Sequence, residues 1–129
     1  MGSDLVRLLI VEDQPAVRKM LHLRLAAEDD LYVIGEAFNC ETAVELASSL
    51  CPDIVLVDVD TPGVDGMQTV SELHRICPQT AVIALSIHDD PQTRDCVEKV
   101  GAEALVGKSL PTDTLLATIR AIAKRHFLN

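Results

Sequence analysis

Two aspartates two residues apart, Asp58 and Asp60, follow an apolar run in the segment LVDVDTPG (56–63). Carboxylates at this spacing suit three kinds of site. They could belong to a phosphatase whose nucleophile lies in an Asp-x-Asp-x-Thr/Val motif, or to a calcium-binding loop. Alternatively, Asp58 alone could accept a phosphoryl group, with Asp60 incidental to the chemistry. Polar residues elsewhere in the chain decide among these possibilities.

Four predicted strands end in residues that could serve one site. Glu12 and Asp13 follow RLLIV (7–11), Asp58 follows DIVLV (53–57), Ser86 ends AVIALS (81–86), and Lys108 lies just beyond ALV (104–106). Carboxylates are hard oxygen ligands that suit Mg²⁺, which shares its coordination shell with phosphate oxygens. An aspartate beside such a metal can form an aspartyl phosphate, and the Ser86 hydroxyl and Lys108 ammonium groups could hold its oxygens.

The strands that carry these residues belong to a repeated alternation. Five apolar runs, with YVIGEA (32–37) as the second, alternate with five helical patterns. Alternation of this kind predicts right-handed crossovers and an open parallel sheet with helices on both faces. The carboxyl ends of parallel strands meet at one edge, which is where ligands bind in such sheets. We therefore expect the polar strand-end residues to converge there.

The helices are predicted to begin at Pro15, to cover about 41–50, to stop before Pro78, to cover about 91–100 ahead of Gly101, and to begin after Pro111. Their apolar spacing predicts which side chains face the core. These are Val17, Met20, Leu21 and Leu25 in the first helix, Met67, Val70, Leu73 and Ile76 in the third, and Leu115, Ile119 and Ile122 in the last.

Composition narrows the class of protein. The chain of 129 residues is long enough for one domain, over 1–129, and its net charge of −9 argues against direct nucleic-acid binding. No apolar run approaches the roughly 18 residues of a membrane span. The four cysteines form no Cys-x-x-Cys pair. We therefore expect each of them to be a small, buried, apolar side chain in a reducing cytoplasm, and not part of a disulfide or a metal site.

Four segments carry a resemblance to a known family: LLIVEDQ, PDIVLVDVDTPGVDG, VIALS and GAEALVGKS, in this order. From about Arg7 to Lys124 the chain resembles a bacterial response regulator receiver domain of the CheY-like superfamily. VIGEAFNCETAVELA and HDDPQT are most similar to receivers of LuxR/NarL-type transcriptional regulators. The resemblance implies a flavodoxin-like (βα)5 fold with a five-stranded parallel sheet in the order 2-1-3-4-5.

The same resemblance implies residue roles. Asp58 would accept a phosphoryl group from a sensor histidine kinase, with Ser86 and Lys108 binding phosphoryl oxygens. Mg²⁺, or Mn²⁺ in its place, would be held by Glu12, Asp13, Asp58 and the backbone carbonyl of Asp60. The chain would catalyse only its own phosphorylation and dephosphorylation.

Partners are implied as well. Phosphorylation would drive homodimerisation through the face formed by the fourth helix, fifth strand and fifth helix. Any helix-turn-helix output domain, which would bind the DNA, would lie beyond Asn129. The alternative is a receiver-like interaction module that works largely without phosphorylation.

Pro62 argues against the first two readings of the opening segment. It occupies the position where a haloacid dehalogenase phosphatase needs Thr or Val, and Thr69 stands where a calcium loop needs a bidentate Glu. Pro62-Gly63 and Asp65-Gly66 instead read as turns. Four positions depart from the family pattern: Thr61 replaces a common methionine, Ile87 a small residue, Leu105 a switch Tyr or Phe, and Ser109 a common proline. Of these, Leu105 puts the usual signal transmission in doubt.

Overall fold

A computed structural model describes residues 5–60 and 65–126 of the chain. Strands and helices alternate within these residues: β1 (Val6–Val11), α1 (Pro15–Ala26), β2 (Leu31–Ala37), α2 (Cys40–Leu50), β3 (Ile54–Asp58), α3 (Gly66–Ile76), β4 (Ala81–Ser86), α4 (Pro91–Lys99), β5 (Ala104–Gly107) and α5 (Thr112–His126). The predicted turn at Pro62-Gly63 and the departure at Thr61 lie outside the described residues.

The five strands form one parallel sheet in the order β2-β1-β3-β4-β5. The predicted fold class is therefore confirmed. Strand order reverses between β1 and β3, because the chain moves outward to β2 first and then crosses back to build the other half of the sheet. The carboxyl ends of β1 and β3 border this switch point, where open α/β sheets leave a crevice.

Alternate residues of the central strands supply two separate cores, one on each face of the sheet. Leu8, Ile10, Ile54, Leu56 and Ile83 pack on the face covered by α1 and α5, whose Leu25, Leu115, Leu116, Ile119 and Ile122 are buried there. Leu9, Val11, Val55, Val57 and Val82 pack on the other face against Ala43, Ala47, Val70, Leu73 and Val97 of α2, α3 and α4. The strands are buried on both sides, so the sheet is a rigid base for the residues at its edge.

Local chemistry explains where three of the helices begin. The Asn39 side chain accepts a hydrogen bond from the Thr42 N–H at 2.8 Å and caps α2. Asp65 and Asp90 cap α3 and α4 in the same way. Gly101 ends the α4 region at φ +118°, and a Cβ there would lie 2.5 Å from the His74 ring, so both backbone and packing require glycine.

Two predictions about burial are wrong. Val17 and Met20 of α1 are 41% and 53% exposed, because only Leu25 and, in part, Leu21 contact the core. Ile76, the last residue of α3, is 37% exposed and also lies outside the core. The cysteines are not buried either. Cys51 and Cys96 are exposed, and Cys40 and Cys77 are half-buried, because three of the four lie at helix ends and Cys96 lies on the outer side of α4. All four are free thiols.

No helix within residues 5–60 and 65–126 is both long and apolar enough to cross a lipid bilayer.

Candidate functional site

Strand register brings the predicted site residues to one edge of the sheet. Val11 of β1 pairs with Val57 of β3, so the next residues, Glu12 and Asp58, lie side by side. Ser86 of β4 pairs with Gly107 of β5, and the Lys108 N–H donates to the Ser86 carbonyl at 2.8 Å. The position of each of these side chains is therefore fixed by backbone hydrogen bonds between neighbouring strands.

Asp58 lies at the centre of this edge. Its side chain is only 4% exposed. Lys108 Nζ donates to Asp58 Oδ2 at 2.5 Å, and the backbone N–H of Asp60 donates to Asp58 Oδ1 at 2.9 Å. Both carboxylate oxygens are thus oriented, one by a charge and one by a backbone dipole.

Glu12 and Asp58 are pushed toward different protonation states. Burial, followed by the hydrogen bond to Asp58, raises the pKa of Glu12 to about 7. Burial also opposes ionisation of Asp58, yet its pKa is lowered, because hydrogen bonds from Glu12, Lys108 and the Asp60 N–H outweigh that effect. Asp58 is the carboxylate that stays ionised near neutral pH, which a nucleophile requires.

Asp60 turns its side chain toward β4. Its Oδ1 accepts from the Ser86 hydroxyl at 2.7 Å, and its Oδ2 accepts from the Ile87 N–H at 2.6 Å. The Ser86 hydroxyl oxygen in turn accepts from the His88 N–H at 2.9 Å. Lys108 Nζ lies 3.6 Å from Asp60 Oδ2, so one ammonium group faces two carboxylates.

Asp13 gives the clearest sign of a cation site. Its Oδ1 is buried and has no hydrogen-bond partner among the residues that the structure describes, and an unpaired buried oxygen is unfavourable. Within those residues no three acidic, histidine or cysteine side chains form a ready-made metal cluster. Mg²⁺ does not need one, because it usually keeps several waters and takes only one or two carboxylates. The donors present fit that ion.

Arg18 is a residue of this site that sequence reasoning missed. Its Nη1 donates to the Glu12 carbonyl at 2.7 Å, and its Nε donates to Glu36 Oε1 at 3.0 Å. His22 also contacts Glu36. Arg18 therefore ties the turn that bears Glu12 and Asp13 to the end of β2. Glu36 lies 18 residues beyond Arg18 in the chain, so no local pattern could have identified that contact.

An apolar groove opens beside the site, between α1 and the segment that joins β5 to α5. Val17, Met20 and Leu21 line one wall, and Leu110 and Pro111 line the other. Its volume is about 210 Å³, and Asp58 and Lys108 also line it. The exposed Val17 and Met20, which do not contribute to the core, thus form a surface next to the carboxylates.

These features match a known family. The sequence pattern of the response regulator receiver domain covers residues 8–120. This chain belongs to the response regulator receiver family. Receivers are the phosphorylated modules of two-component systems, and Mg²⁺ binding at the phosphorylation site is a general property of the family.

Individual relatives agree with this assignment. The chain is 30% identical to the transcriptional regulatory protein DegU of Brevibacillus brevis, over 95% of this chain and 52% of that protein. It is 28% identical to the nitrate/nitrite response regulator NarL of Escherichia coli K12, over 90% of this chain and 54% of that protein. Among solved structures, a receiver domain of a NarL from Mycobacterium tuberculosis is similar with a TM-score of 0.81 and 28% identity, over 92% of this chain and 97% of that one. The chain spans about half the length of the curated relatives named here.

Proposed function

We propose that this chain is a phosphorylatable switch in which Asp58 accepts a phosphoryl group from a sensor histidine kinase. The observation that carries the proposal is the state of Asp58, which is buried, kept ionised and held by Lys108 at 2.5 Å. A carboxylate in that state, at the switch point of the sheet, is suited to in-line attack on phosphorus.

In the proposed reaction an Asp58 oxygen forms a bond to phosphorus while the P–N bond of a phosphohistidine breaks, and the imidazole, which already carries a proton on its other ring nitrogen, leaves as the neutral base. Lys108 would move its ammonium group from Asp58 toward a phosphoryl oxygen, and the Ser86 hydroxyl would donate to another. Glu12, Asp13, Asp58 and the backbone carbonyl of Asp60 would hold Mg²⁺, or Mn²⁺, which supplies charge neutralisation for the phosphoryl oxygens.

The apolar groove supports a protein as phosphoryl donor. Val17, Met20 and Leu110 are exposed at 41%, 53% and 44%. Asp58 and Lys108 line the same groove, so a partner seated in it would have its reactive histidine near the acceptor. We propose that a helix of the kinase occupies it, because apolar helical surfaces pack into grooves of this kind.

We propose the remaining roles on the family relationship. The chain from 1 to 129 would be one receiver domain that catalyses only its own phosphorylation and dephosphorylation. Phosphorylation would promote homodimerisation through α4, β5 and α5 and control a helix-turn-helix output. A role of that output in transcription is supported by the name of DegU, a transcriptional regulatory protein. DNA contacts would be made by that output and not by this acidic chain. The expected cytoplasmic location is part of the same proposal.

Labelling by a small phosphodonor tests this function. The wild-type chain is incubated with acetyl phosphate with and without MgCl₂, and its intact mass is measured. We expect a gain of one phosphoryl group that depends on the metal, no gain in Asp58→Asn, and a normal gain in the control Asp30→Asn, whose carboxylate is outside the cleft. No gain in the wild-type chain would favour the alternative, an interaction module that works without phosphorylation.

A further inference from the structure

The side chain of Asp60 occupies the groups that a phosphoryl group on Asp58 would need. It accepts from the Ser86 hydroxyl at 2.7 Å and from the Ile87 N–H at 2.6 Å, and it lies 3.6 Å from Lys108 Nζ. Ser86 and Lys108 are the two donors assigned above to phosphoryl oxygens. A carboxylate and a phosphoryl group are both anions with acceptor oxygens, so they compete for the same donors.

We propose that the Asp60 carboxylate is an internal competitor of the phosphoryl group. It must leave Ser86 and Ile87 before both groups can bind the phosphoryl oxygens, and it therefore slows phosphorylation and holds the loop after β4 in its unphosphorylated position. This inference rests on the phosphoacceptor role proposed for Asp58.

Counting hydrogens shows why the two anions cannot share these donors. The Ser86 hydroxyl has one proton, which it donates to Asp60, while its oxygen accepts from His88. The Ile87 amide also has one proton, and Asp60 Oδ2 accepts it. A phosphoryl oxygen can bind either donor well only when the carboxylate has withdrawn.

Charge favours that withdrawal once the phosphoryl group is attached. A phosphoryl group brings about −1.5 to −2 charges at neutral pH, which repel a neighbouring carboxylate. The Asp60 side chain is 21% exposed and can turn toward solvent, whereas the Asp58 side chain is 4% exposed and cannot. The phosphoryl group thus gains Ser86, Ile87 and more of Lys108 as Asp60 moves away.

The exchange also reaches the loop that leads into α4. Asp60 holds Ile87 directly, and Ser86 holds His88, two residues before the α4 N-cap Asp90. Ile87 is 62% exposed, so the loop has little packing to keep it in place. Release of Asp60 would free this loop to follow Ser86, with no contribution from the buried Leu105.

Asp60→Ala tests the competition, and Asp89→Ala is its matched control. Asp89 carries the same charge on the neighbouring loop, but its carboxylate makes neither of the two contacts among the described residues. Labelling rates with acetyl phosphate are measured at a Mg²⁺ concentration that saturates each variant. We expect Asp60→Ala to be labelled about 5- to 20-fold faster than wild type, the factor that one or two hydrogen bonds represent. Asp89→Ala should stay within about twofold, because surface charges act weakly.

A second measurement does not involve phosphorylation. Amide hydrogen exchange at Ile87, followed by NMR on the unphosphorylated protein without metal, should be faster in Asp60→Ala and intermediate in Asp60→Asn, whose amide oxygen can accept only one of the two bonds. Exchange in α5 serves as the control for folding.

The outcomes separate the two proposals. If wild type is labelled but Asp60→Ala is no faster than Asp89→Ala, or if Ile87 exchange does not change, the competition is overturned and the phosphoacceptor role stands. If neither wild type nor Asp60→Ala is labelled, the phosphoacceptor role fails and the competition fails with it.

Discussion

Two clusters in this molecule place one basic side chain among several carboxylates, and they differ in how completely the charges are matched. In the Arg120 cluster, Arg120 binds both oxygens of Asp30 at 2.8 Å and Glu28 at 2.7 Å. In the rim cluster (Glu12, Asp13, Asp58, Asp60 and Lys108), a single ammonium group is set against four carboxyl groups and lies 2.5 and 3.6 Å from two of them, Asp58 and Asp60.

The pKa values of one carboxyl group in each cluster, Asp30 and Glu12, are shifted in opposite directions. Arg120 lowers the pKa of Asp30, so that carboxyl is stabilised as an anion. In the rim cluster burial raises the pKa of Glu12 to about 7, and a buried oxygen of Asp13 has no partner among the described residues. The Arg120 cluster is complete without a ligand, as expected for a structural contact between α5 and the α1–β2 segment. The rim cluster lacks positive charge, which a metal ion would supply.

Replacing the basic residue of each cluster should give the largest difference between them in the rate of Asp58 labelling. We expect Lys108→Met to slow labelling of Asp58 by about 100-fold, the loss typical of one oriented donor to a developing anion. Arg120→Met should leave labelling within about twofold of wild type and lower the Tm by a few degrees, because its ion pairs are largely exposed. Acetyl phosphate labelling and thermal melts measure the two effects. Equal labelling in both variants would mean that Lys108 has no role in the chemistry.

Metal binding should distinguish the acidic residues next. Asp13→Ala should weaken Mg²⁺ affinity by at least the roughly 10- to 100-fold that loss of an outer-shell contact gives. Asp60→Ala should weaken it much less, since alanine keeps the backbone carbonyl, and Asp30→Ala should have no effect. Calorimetric titration with MgCl₂ compares the three. Losses of equal size in Asp13→Ala and Asp60→Ala would make Asp60 a side-chain ligand.

The clusters should also respond oppositely to pH. Glu12 has a folded-state pKa of about 7 against an ordinary value of 4.5, so the folded state binds more protons between these values. Stability without metal should therefore fall as pH rises from about 4.5 to 7. Asp30 has a lowered pKa, so its contribution is present at neutral pH and is lost only as the pH falls through the folded-state value.

Glu12→Gln isolates the first of these effects. This substitution removes the cost of burying an ionised carboxylate. It should raise the Tm of the metal-free protein at pH 8 by about 3–6 °C for each ~1 kcal/mol of that cost, and the Tm should no longer fall between pH 5 and 7. Mg²⁺ should stabilise wild type more at pH 8 than at pH 6, because the metal competes with the Glu12 proton. Melting curves that are parallel for wild type and Glu12→Gln across this range would contradict the assignment.

The smallest effect is expected at Leu105, which is 4% exposed behind the rim cluster. Leu105→Tyr should leave labelling nearly unchanged but alter the phosphate-dependent shift in dimerisation, because it restores the aromatic side chain of the family pattern. Analytical ultracentrifugation with beryllofluoride as phosphate mimic measures that shift. Ser86→Ala should reduce the shift far more, and an unchanged shift in Ser86→Ala would rule out coupling through Ser86.

The sequence is sufficient to predict the parallel sheet and the backbone positions of the rim residues. Apolar runs buried on both faces predict parallel strands, and register then fixes Glu12 beside Asp58 without any knowledge of side chains. The sequence does not predict the contacts that depend on the direction in which a side chain points. The contacts of Asp60 with Ser86 and of Arg18 with Glu36 join residues that are 26 and 18 positions apart in the chain. Val17 and Met20 follow a helical spacing typical of a core yet line the groove, because α1 packs mainly through Leu25 and Leu21.

Chemical trapping of the acceptor residue tests the central claim most directly. The chain is labelled with acetyl phosphate and MgCl₂ and treated with borohydride, which reduces an aspartyl phosphate to homoserine, and the peptide containing Asp58 and Asp60 is sequenced by mass spectrometry. We predict homoserine at position 58 alone, and none when MgCl₂ is omitted. Homoserine at position 60 or 13, or equal amounts with and without metal, would contradict the account of Asp58 as a metal-dependent phosphoacceptor.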